Sequence, residues 1–237
     1  MVRNQYEIPH CDKCAARDNS VFSELVQSDL HVISSEKGCR QYSKGEMIFY
    51  ADDQPSGLFC IHRGIVKLYK IGKDGKEQII RLAQQGDIIG YRSLLSGEKY
   101  SKFAVPIADA QICHIPKSAF FSILSTNYRL SSKVMELLST ELKVAEERIM
   151  EMAQKPVSER LAETLLLLRE TYGVEADNTT LKIKLTRIDL ANIVGAATES
   201  VSRLLSKFKE ERIIDMNGRR LKIIDPAGLA EAANLDD

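Results

Sequence analysis

Tryptophan is absent from this chain of 237 residues, and aromatic residues make up only 6% of it. No stretch approaches the ~18 consecutive apolar residues of a membrane-spanning helix, so we expect no helix to cross a membrane. The N-terminal residues lack the apolar centre of a signal peptide, which predicts a cytoplasmic protein. Because that compartment is reducing, the five cysteines are not expected to form a disulfide framework.

Sequence signatures of catalysis are missing as well. The four histidines are scattered at positions 10, 31, 62 and 114. There is no HExxH zinc motif, no GxSxG nucleophile turn and no GxxxxGK(S/T) phosphate loop. The sequence therefore shows no motif that pairs a nucleophile with a general base or binds a phosphate, and we predict that the protein is not an enzyme.

The chain does contain enough apolar sequence for two domains, since 44% of its residues are hydrophobic. Its net charge of zero hides an asymmetry. Residues 182–222 contain ten basic and five acidic side chains, a net charge of +5, so the remainder carries −5. A basic C-terminal part indicates contact with nucleic acid; the alternative is an ordinary solvated surface.

Residues 40–116 have the pattern of an antiparallel β domain. Short apolar runs alternate with turn signals there, a spacing typical of a sandwich or barrel. The clearest hairpin surrounds residues 73–76, because Asp-Gly supplies the positive φ of a tight turn. The predicted strands include residues 47–50, 58–61, 65–69 and 78–82.

Residues 128–154 contain neither Gly nor Pro and are predicted to form one long helix, which Pro156 ends. Six apolar residues recur along it at alternating steps of three and four, as in a coiled coil. This narrow stripe favours a symmetric homodimer, the alternative being packing against the β domain. A second helix is predicted at 158–172 and a strand at 181–185. The predicted dimer seam is Met135, Leu138, Leu142, Ala145, Ile149 and Met152.

The following segment has the spacing of a helix-turn-helix. Thr186 is expected to cap a helix that runs to about Val194, and Gly195 to make the turn. A second helix then opens at Ala197 or Thr198. Two short helices joined in this way place the second one in the major groove of DNA.

The second helix carries polar residues suited to reading bases. Arg203 offers two donors for guanine, Glu199 an acceptor for cytosine, and Ser202 a hydroxyl; an i, i+4 ion pair between Glu199 and Arg203 is the structural alternative. Residues 212–225 predict a hairpin joined at Asn-Gly, the wing of a winged helix. The predicted DNA-binding residues are Thr186, Thr198, Glu199, Ser202, Arg203, Lys207, Arg219 and Arg220.

These motifs together resemble the CRP/FNR family of bacterial regulators, which contains the cyclic-AMP receptor protein and the fumarate-nitrate reduction regulator. The resemblance covers nearly the whole chain and includes Leu-Thr-Arg-Ile-Asp-Leu-Ala at 185–191, Thr-Glu-Ser-Val-Ser-Arg-Leu-Leu at 198–205, and Gly45, Gly64, Gly86 and Gly90. It implies an α+β fold with an N-terminal cyclic-nucleotide-binding-like β-barrel (jelly roll), a long dimerisation helix and a C-terminal winged helix-turn-helix.

The resemblance divides the chain into five segments: 1–24 with the CxxC motif, a 25–127 sensor β-roll, a 128–154 dimerisation helix, a 155–228 winged helix-turn-helix domain and a 229–237 tail. The predicted function is sequence-specific regulation of transcription by a homodimer on a palindromic operator. Double-stranded DNA is the expected partner, with RNA polymerase added if the protein is an activator. The alternative is a cytoplasmic cyclic-nucleotide-binding signalling adaptor without DNA binding.

The family's β domain often holds a cyclic nucleotide, gripped by a Glu and by an Arg-Ser pair. By the resemblance, Tyr91 stands at the Glu position and Tyr100 at the Arg position. A phenol replaces a bidentate guanidinium poorly, so a cyclic nucleotide is not expected, with Arg92 or Lys99 as possible substitutes for the missing cation. The predicted effector pocket is Gly90, Tyr91, Arg92, Ser93, Tyr100 and Ser101.

The cysteines are the second candidate sensor. The resemblance matches Cys11, Cys14 and Cys113 to iron–sulfur ligands of the fumarate-nitrate branch, but Ser20 stands at the third ligand position. An atypical iron–sulfur cluster at these three cysteines, completed by Cys39 or His10, is one interpretation. A thiol switch and buried structural cysteines are the alternatives.

Overall fold

The structure is a computed structural model that describes residues 10–235. The first nine residues of the predicted 1–24 segment and the last two of the predicted 229–237 tail lie outside this range. Two compact units divide the chain within the long helix, between Leu142 and Lys143, and the segment Ile71–Ile79 belongs to the second unit.

Seven strands form the framework of the first unit. They are β1 (Gly38–Tyr42), β2 (Gly57–Arg63), β3 (Val66–Ile71), β4 (Glu77–Ala83), β5 (Ile88–Ile89), β6 (Phe103–Pro106) and β7 (Ala110–Pro116). The end of β3 and the start of β4 lie in the segment Ile71–Ile79, which belongs to the second unit. One sheet has the strand order β1-β7-β2-β5 and the other the order β4-β3-β6. The strands therefore make a two-sheet jelly roll, not a closed barrel.

The hairpin between β3 and β4 forms where the Asp-Gly signal predicted it. Gly75 has a φ of 77°, and the Gly72 N–H donates to the Lys76 carbonyl at 2.8 Å. The strand predicted at 47–50 is wrong, because only Phe49 pairs, in an isolated bridge to Ala104. The next amide, that of Tyr50, donates to the carboxylate of Asp53, and this turn ends the pairing.

Helices cover the larger sheet. They are a 3-10 helix (Cys11–Lys13), α1 (Gln27–Glu36), α2 (Tyr91–Ser96), α3 (Lys117–Leu124) and α4 (Tyr128–Gln154), the last of which continues into the second unit. Leu30 of α1, Phe120 of α3 and Leu130 of α4 are buried with Leu58 of β2 in one cluster. Burying such side chains stabilises the fold by ~1.5–3 kcal/mol each, and here it fixes the start of α4 on the β domain.

The second unit contains the remaining elements: α5 (Val157–Tyr172), α6 (Arg187–Val194), α7 (Thr198–Glu210), β8 (Ile214–Asn217), β9 (Arg220–Ile223) and α8 (Pro226–Ala232). Its core includes Leu161, Leu165, Val201 and Leu205. None of the helices in the described part of the chain is long and apolar enough to cross a membrane.

The strand predicted at 181–185 is also wrong. Leu181, Ile183 and Leu185 are buried and alternate with exposed lysines, as in a strand. However, only Thr180 and Leu181 make bridges. The Lys182 N–H donates back to the Gly173 carbonyl, so the chain leaves the edge of β9 before a ladder can form.

Candidate nucleic-acid interface and effector cavity

The two helices of the predicted helix-turn-helix form with the expected ends. Thr186 caps α6 in a capping box, in which its hydroxyl accepts from the Asp189 N–H while Asp189 accepts from the Thr186 N–H. Gly195 ends α6 with a φ of 71°, a conformation that favours glycine. The hydroxyl of Thr186 also donates to Asp189 at 2.6 Å, so it is committed to the cap, and its predicted DNA contact is not supported by this geometry.

The outer face of α7 presents a row of exposed polar residues. Val201, Leu205 and Phe208 bury the inner face, whereas Glu199 and Arg203 are exposed one turn apart. No ion pair joins Glu199 to Arg203 in the described structure. The alternative interpretation, that these two residues only stabilise the helix through an i, i+4 ion pair, is therefore not supported. The predicted residue Lys207 continues the exposed row, and Thr198 and Ser202 are half-buried beside it.

The wing forms as a four-residue antiparallel ladder between β8 and β9. Asn217 pairs with Arg220, so the two-residue loop consists of Gly218 and Arg219. Arg219 is exposed in this loop, but Arg220 donates to Glu175 at 2.5 Å. Of the two arginines predicted to lie near phosphates, the structure therefore leaves Arg219 the more accessible.

All six residues of the predicted effector pocket line one cavity in the first unit. The Tyr100 hydroxyl donates to the Gly57 carbonyl at 3.2 Å, and its ring stacks on Phe49 with centroids 4.0 Å apart. Burial raises the pKa of Tyr100 to about 12. This phenol is therefore neutral and already bonded, and it offers no charge to an anion.

Three charged residues that the sequence analysis did not select also line the cavity: Arg81, Lys102 and Glu141. Arg81 forms ion pairs with Glu141 and with Asp87. Arg92 lies 3.9 Å from the Glu141 carboxylate. Burial, and then the charge of Arg92, lower the pKa of Lys102 to about 8. The cavity thus holds three cationic side chains around one carboxylate from α4.

The predicted dimer seam lies on α4 and is largely uncovered in the single chain. Met135, Leu142, Ile149 and Met152 are among the exposed large hydrophobic side chains, and Ala145 is exposed with them. Leu138 differs, because it packs partly against the core beneath α4.

The predicted metal-binding cysteines do not keep three free thiols. Cys113 is bonded to Cys39 in a disulfide. This bond was not predicted from the sequence, because a reducing compartment disfavours disulfides. Cys11, Cys14 and Cys60 are free. The hydroxyl of Ser20, at the third ligand position, donates to the Arg17 carbonyl at 2.7 Å.

Comparisons with known proteins agree with this geometry. The family model for the cyclic nucleotide-binding domain matches residues 39–127, and that for the Crp-like helix-turn-helix domain matches residues 159–232. The chain is 28% identical over 231 residues to the fumarate and nitrate reduction regulatory protein of Vibrio cholerae, covering 95% of this chain and 91% of that protein. It is 29% identical over 222 residues to electron transport regulator A of Shewanella oneidensis, with 91% and 87% covered.

The fold matches a solved structure as well. A CRP/FNR family transcriptional regulator from Thermus thermophilus superposes with a TM-score of 0.71 at 24% identity, covering 83% of this chain and 98% of that chain. The chain belongs to the CRP/FNR family. It is a DNA-binding transcription regulator, and the relatives that it matches are regulators rather than enzymes.

Within the CRP/FNR family, an iron–sulfur cluster of the fumarate-nitrate type requires four protein ligands, usually cysteine thiolates. The cysteines described here do not fit that requirement. The Cys39 and Cys113 sulfurs are bonded to each other, and residues 10–235 contain no group of three His, Cys, Asp or Glu side chains placed to hold a metal ion.

Proposed function

We propose that this regulator acts as a homodimer that reads a two-fold symmetric operator with α7 in the major groove. The observation that carries the proposal is Arg203, which is exposed on the outer face of α7 and whose guanidinium has no hydrogen bond or ion pair to any described residue. A guanidinium held on a helix without an internal partner is available for bidentate bonding to guanine O6 and N7.

Side chains near Arg203 supply the other proposed contacts with DNA. Glu199, one turn before Arg203, accepts from cytosine N4, and the Ser202 hydroxyl contacts a base or a phosphate. Arg219 in the wing loop approaches the backbone phosphates, as does Lys207 at the end of the row. If the regulator activates transcription, RNA polymerase is its further partner.

Selection of bound sequences from a random DNA pool tests this proposal. The wild-type protein is expected to enrich an inverted repeat whose half-sites are read identically, as the symmetry of a dimer requires. Arg203→Ala is expected to lose ~1–3 kcal/mol of discrimination at one guanine of each half-site. The matched control is Lys209→Ala, which removes one cation from the same helix but one that is paired with Asp215 at 2.7 Å.

The control is expected to weaken binding slightly and to leave the preferred sequence unchanged. An unchanged preference in Arg203→Ala contradicts the assignment of this residue. A pool that yields no preferred sequence favours the adaptor without DNA binding.

The cavity in the β domain is proposed as the effector site. Because Tyr100 is bonded to Gly57 and carries no charge, it cannot supply the guanidinium contact of a buried cyclic phosphate. The guanidinium of Arg81 is already paired with Asp87 and Glu141. We expect cyclic AMP not to tighten operator binding. Calorimetry with cyclic AMP and cyclic GMP checks this, and micromolar binding coupled to tighter operator affinity contradicts it.

A further inference from the structure

All five cysteines of the chain gather at one place in the first unit. In the larger sheet β7 lies between β1 and β2. Cys113 of β7 is directly opposite Cys39 of β1 and also directly opposite Cys60 of β2. Residues directly opposite each other in a sheet project from the same face. Cys39, Cys113 and Cys60 therefore form a row across three strands, with the disulfide at one end and a thiol at the other.

The CxxC motif completes the group. Cys11 begins the 3-10 helix and Cys14 follows its last residue; both line a cavity together with Cys60 and Cys113. The Lys37 ammonium donates to the Cys11 sulfur at 3.2 Å. We call these five residues, Cys11, Cys14, Cys39, Cys60 and Cys113, the cysteine cluster.

The environment of the cysteine cluster suits thiol chemistry. A thiolate is the form of cysteine that attacks a disulfide. His62 Nδ1 lies 3.3 Å from the Cys14 sulfur, within reach of the thiol proton. By contrast, Cys60 is half-buried, and desolvation together with the nearby Cys14 and Cys11 raises its pKa to about 12, so this thiol stays protonated and is a poor nucleophile.

We propose that the cysteine cluster is a disulfide-exchange site, in which the dithiol Cys11 and Cys14 takes over the disulfide held between Cys39 and Cys113. The geometry behind the proposal is that Cys113 is the disulfide sulfur that faces the cavity shared with both CxxC cysteines. Its partner Cys39 lies on β1, the outermost strand on that side of the sheet.

The exchange balances without an external oxidant. Cys14 gives its proton to His62, and its sulfur attacks Cys113, so that a Cys14–Cys113 bond forms, the Cys39–Cys113 bond breaks and the electron pair leaves on Cys39, which takes up a proton. The Cys11 sulfur then attacks Cys14, which forms the Cys11–Cys14 disulfide and expels Cys113, and the proton lost by Cys11 is taken up by the Cys113 sulfur. The CxxC pair is oxidised by two electrons, and the Cys39 and Cys113 pair is reduced by two.

The exchange moves a covalent bond from the sheet to the N-terminal segment. In the first state β1 and β7 are crosslinked and Cys11 keeps its contact with Lys37. In the second state the strands are joined by hydrogen bonds alone, and both CxxC sulfurs leave their present partners. The class of reactant that would set the balance from outside is a dithiol reductant. This inference goes beyond the proposed DNA-binding function, and its test does not depend on DNA.

Peptide mapping tests the proposal, because trypsin places each of the five cysteines in a different peptide. The purified full-length protein, without added reductant, is incubated, pulsed with N-ethylmaleimide, digested and mapped without reduction. In the wild type we expect two disulfides in exchange, Cys39–Cys113 and Cys11–Cys14. Cys11→Ser lacks the resolving thiol, so we expect at least tenfold more Cys14–Cys113 crosslink than in the wild type, with Cys39 alkylated.

Three further variants make the result specific. Cys11→Ala is expected to trap the same crosslink, which separates the chemistry from an effect of serine on folding. Cys14→Ser removes the attacking sulfur and is expected to retain Cys39–Cys113 alone. The matched control is Cys60→Ser, a change in the same row and cavity, and it is expected to map like the wild type.

Two outcomes overturn the proposal. One is that Cys39–Cys113 remains the only disulfide in every variant that contains both residues. The other is that anaerobic incubation with ferrous iron and sulfide yields a stable iron–sulfur chromophore that protects Cys11, Cys14 and Cys113 from alkylation.

Discussion

The apolar stripe on α4 leads to a prediction about assembly whose size follows from the exposed fractions of its side chains. We expect Leu142→Glu combined with Ile149→Glu to convert the dimer into monomers. In the single chain Leu142 is 61% exposed and Ile149 is 67% exposed. Residues seven apart in a helix lie on nearly the same face, so the two side chains fill successive layers of the proposed seam.

The magnitude follows from the area that dimerisation would cover. Fully burying a Leu or Ile side chain is worth ~1.5–3 kcal/mol, so covering about two thirds of each gives roughly 1–2 kcal/mol per side chain. Two such residues in each of two protomers account for about 4–8 kcal/mol. At 1.4 kcal/mol per factor of ten, their loss weakens dimerisation by roughly 10³–10⁶-fold. Burying unpaired carboxylates in the seam adds to this loss.

Analytical ultracentrifugation at micromolar concentration measures the result. The matched control is Val144→Glu combined with Met150→Glu, because both residues are apolar and exposed, at 48% and 54%, but lie off the stripe. The control is expected to remain dimeric, whereas the stripe variant sediments as a monomer. A stripe variant that stays dimeric places the interface elsewhere and refutes the coiled-coil reasoning.

Three smaller predictions concern stability. Thr186→Ala removes the cap of α6 and should lower the free energy of unfolding by ~1 kcal/mol, seen as a lower Tm. Hydrogen bonds from Thr180 hold the pKa of Asp177 below its ordinary value, so its contribution is complete above about pH 4 and is lost on further acidification; acid unfolding of Asp177→Asn should lack that component. Because the folded pKa of Lys102 is lowered to about 8, the unfolded state binds the extra proton between that pH and about 10.4. Wild-type stability should therefore rise with pH in this window relative to Lys102→Met, as measured by urea denaturation.

The helix-turn-helix was predictable from the sequence because its signals are local. Thr186 and Asp189 cap the helix that they begin, and Gly195 supplies the positive φ that ends it. The two strand predictions failed because strand formation depends on a distant pairing partner, which local sequence does not show. Residues 47–50 and 181–185 have strand-like composition, but a strand also needs a neighbour, and Phe49, Thr180 and Leu181 find one only in isolated bridges.

The cavity charges and the cysteine cluster were harder to predict because they depend on register. Cys39 and Cys113 are 74 residues apart in the chain, and nothing in their spacing indicates that β1 and β7 pair with these two residues opposite each other. In the sequence, Glu141 is one of several polar residues on a long helix, and nothing local distinguishes it from the others. Only the packing of α4 against the β domain brings it to Arg81.

The placement of Glu141 connects the proposed effector site to the proposed dimer seam. Consecutive residues on a helix point about 100° apart, so Glu141 reaches Arg81 and the cavity while Leu142 belongs to the exposed stripe. Arg81 has two carboxylate partners, Asp87 and Glu141. An anionic effector that binds the cavity competes with Glu141 for Arg81 and Arg92. If Arg81 keeps Asp87 and exchanges Glu141 for the effector, α4 loses a charged contact one residue from its proposed seam. We therefore expect occupancy of the cavity to change the pairing of the two α4 helices in the proposed dimer.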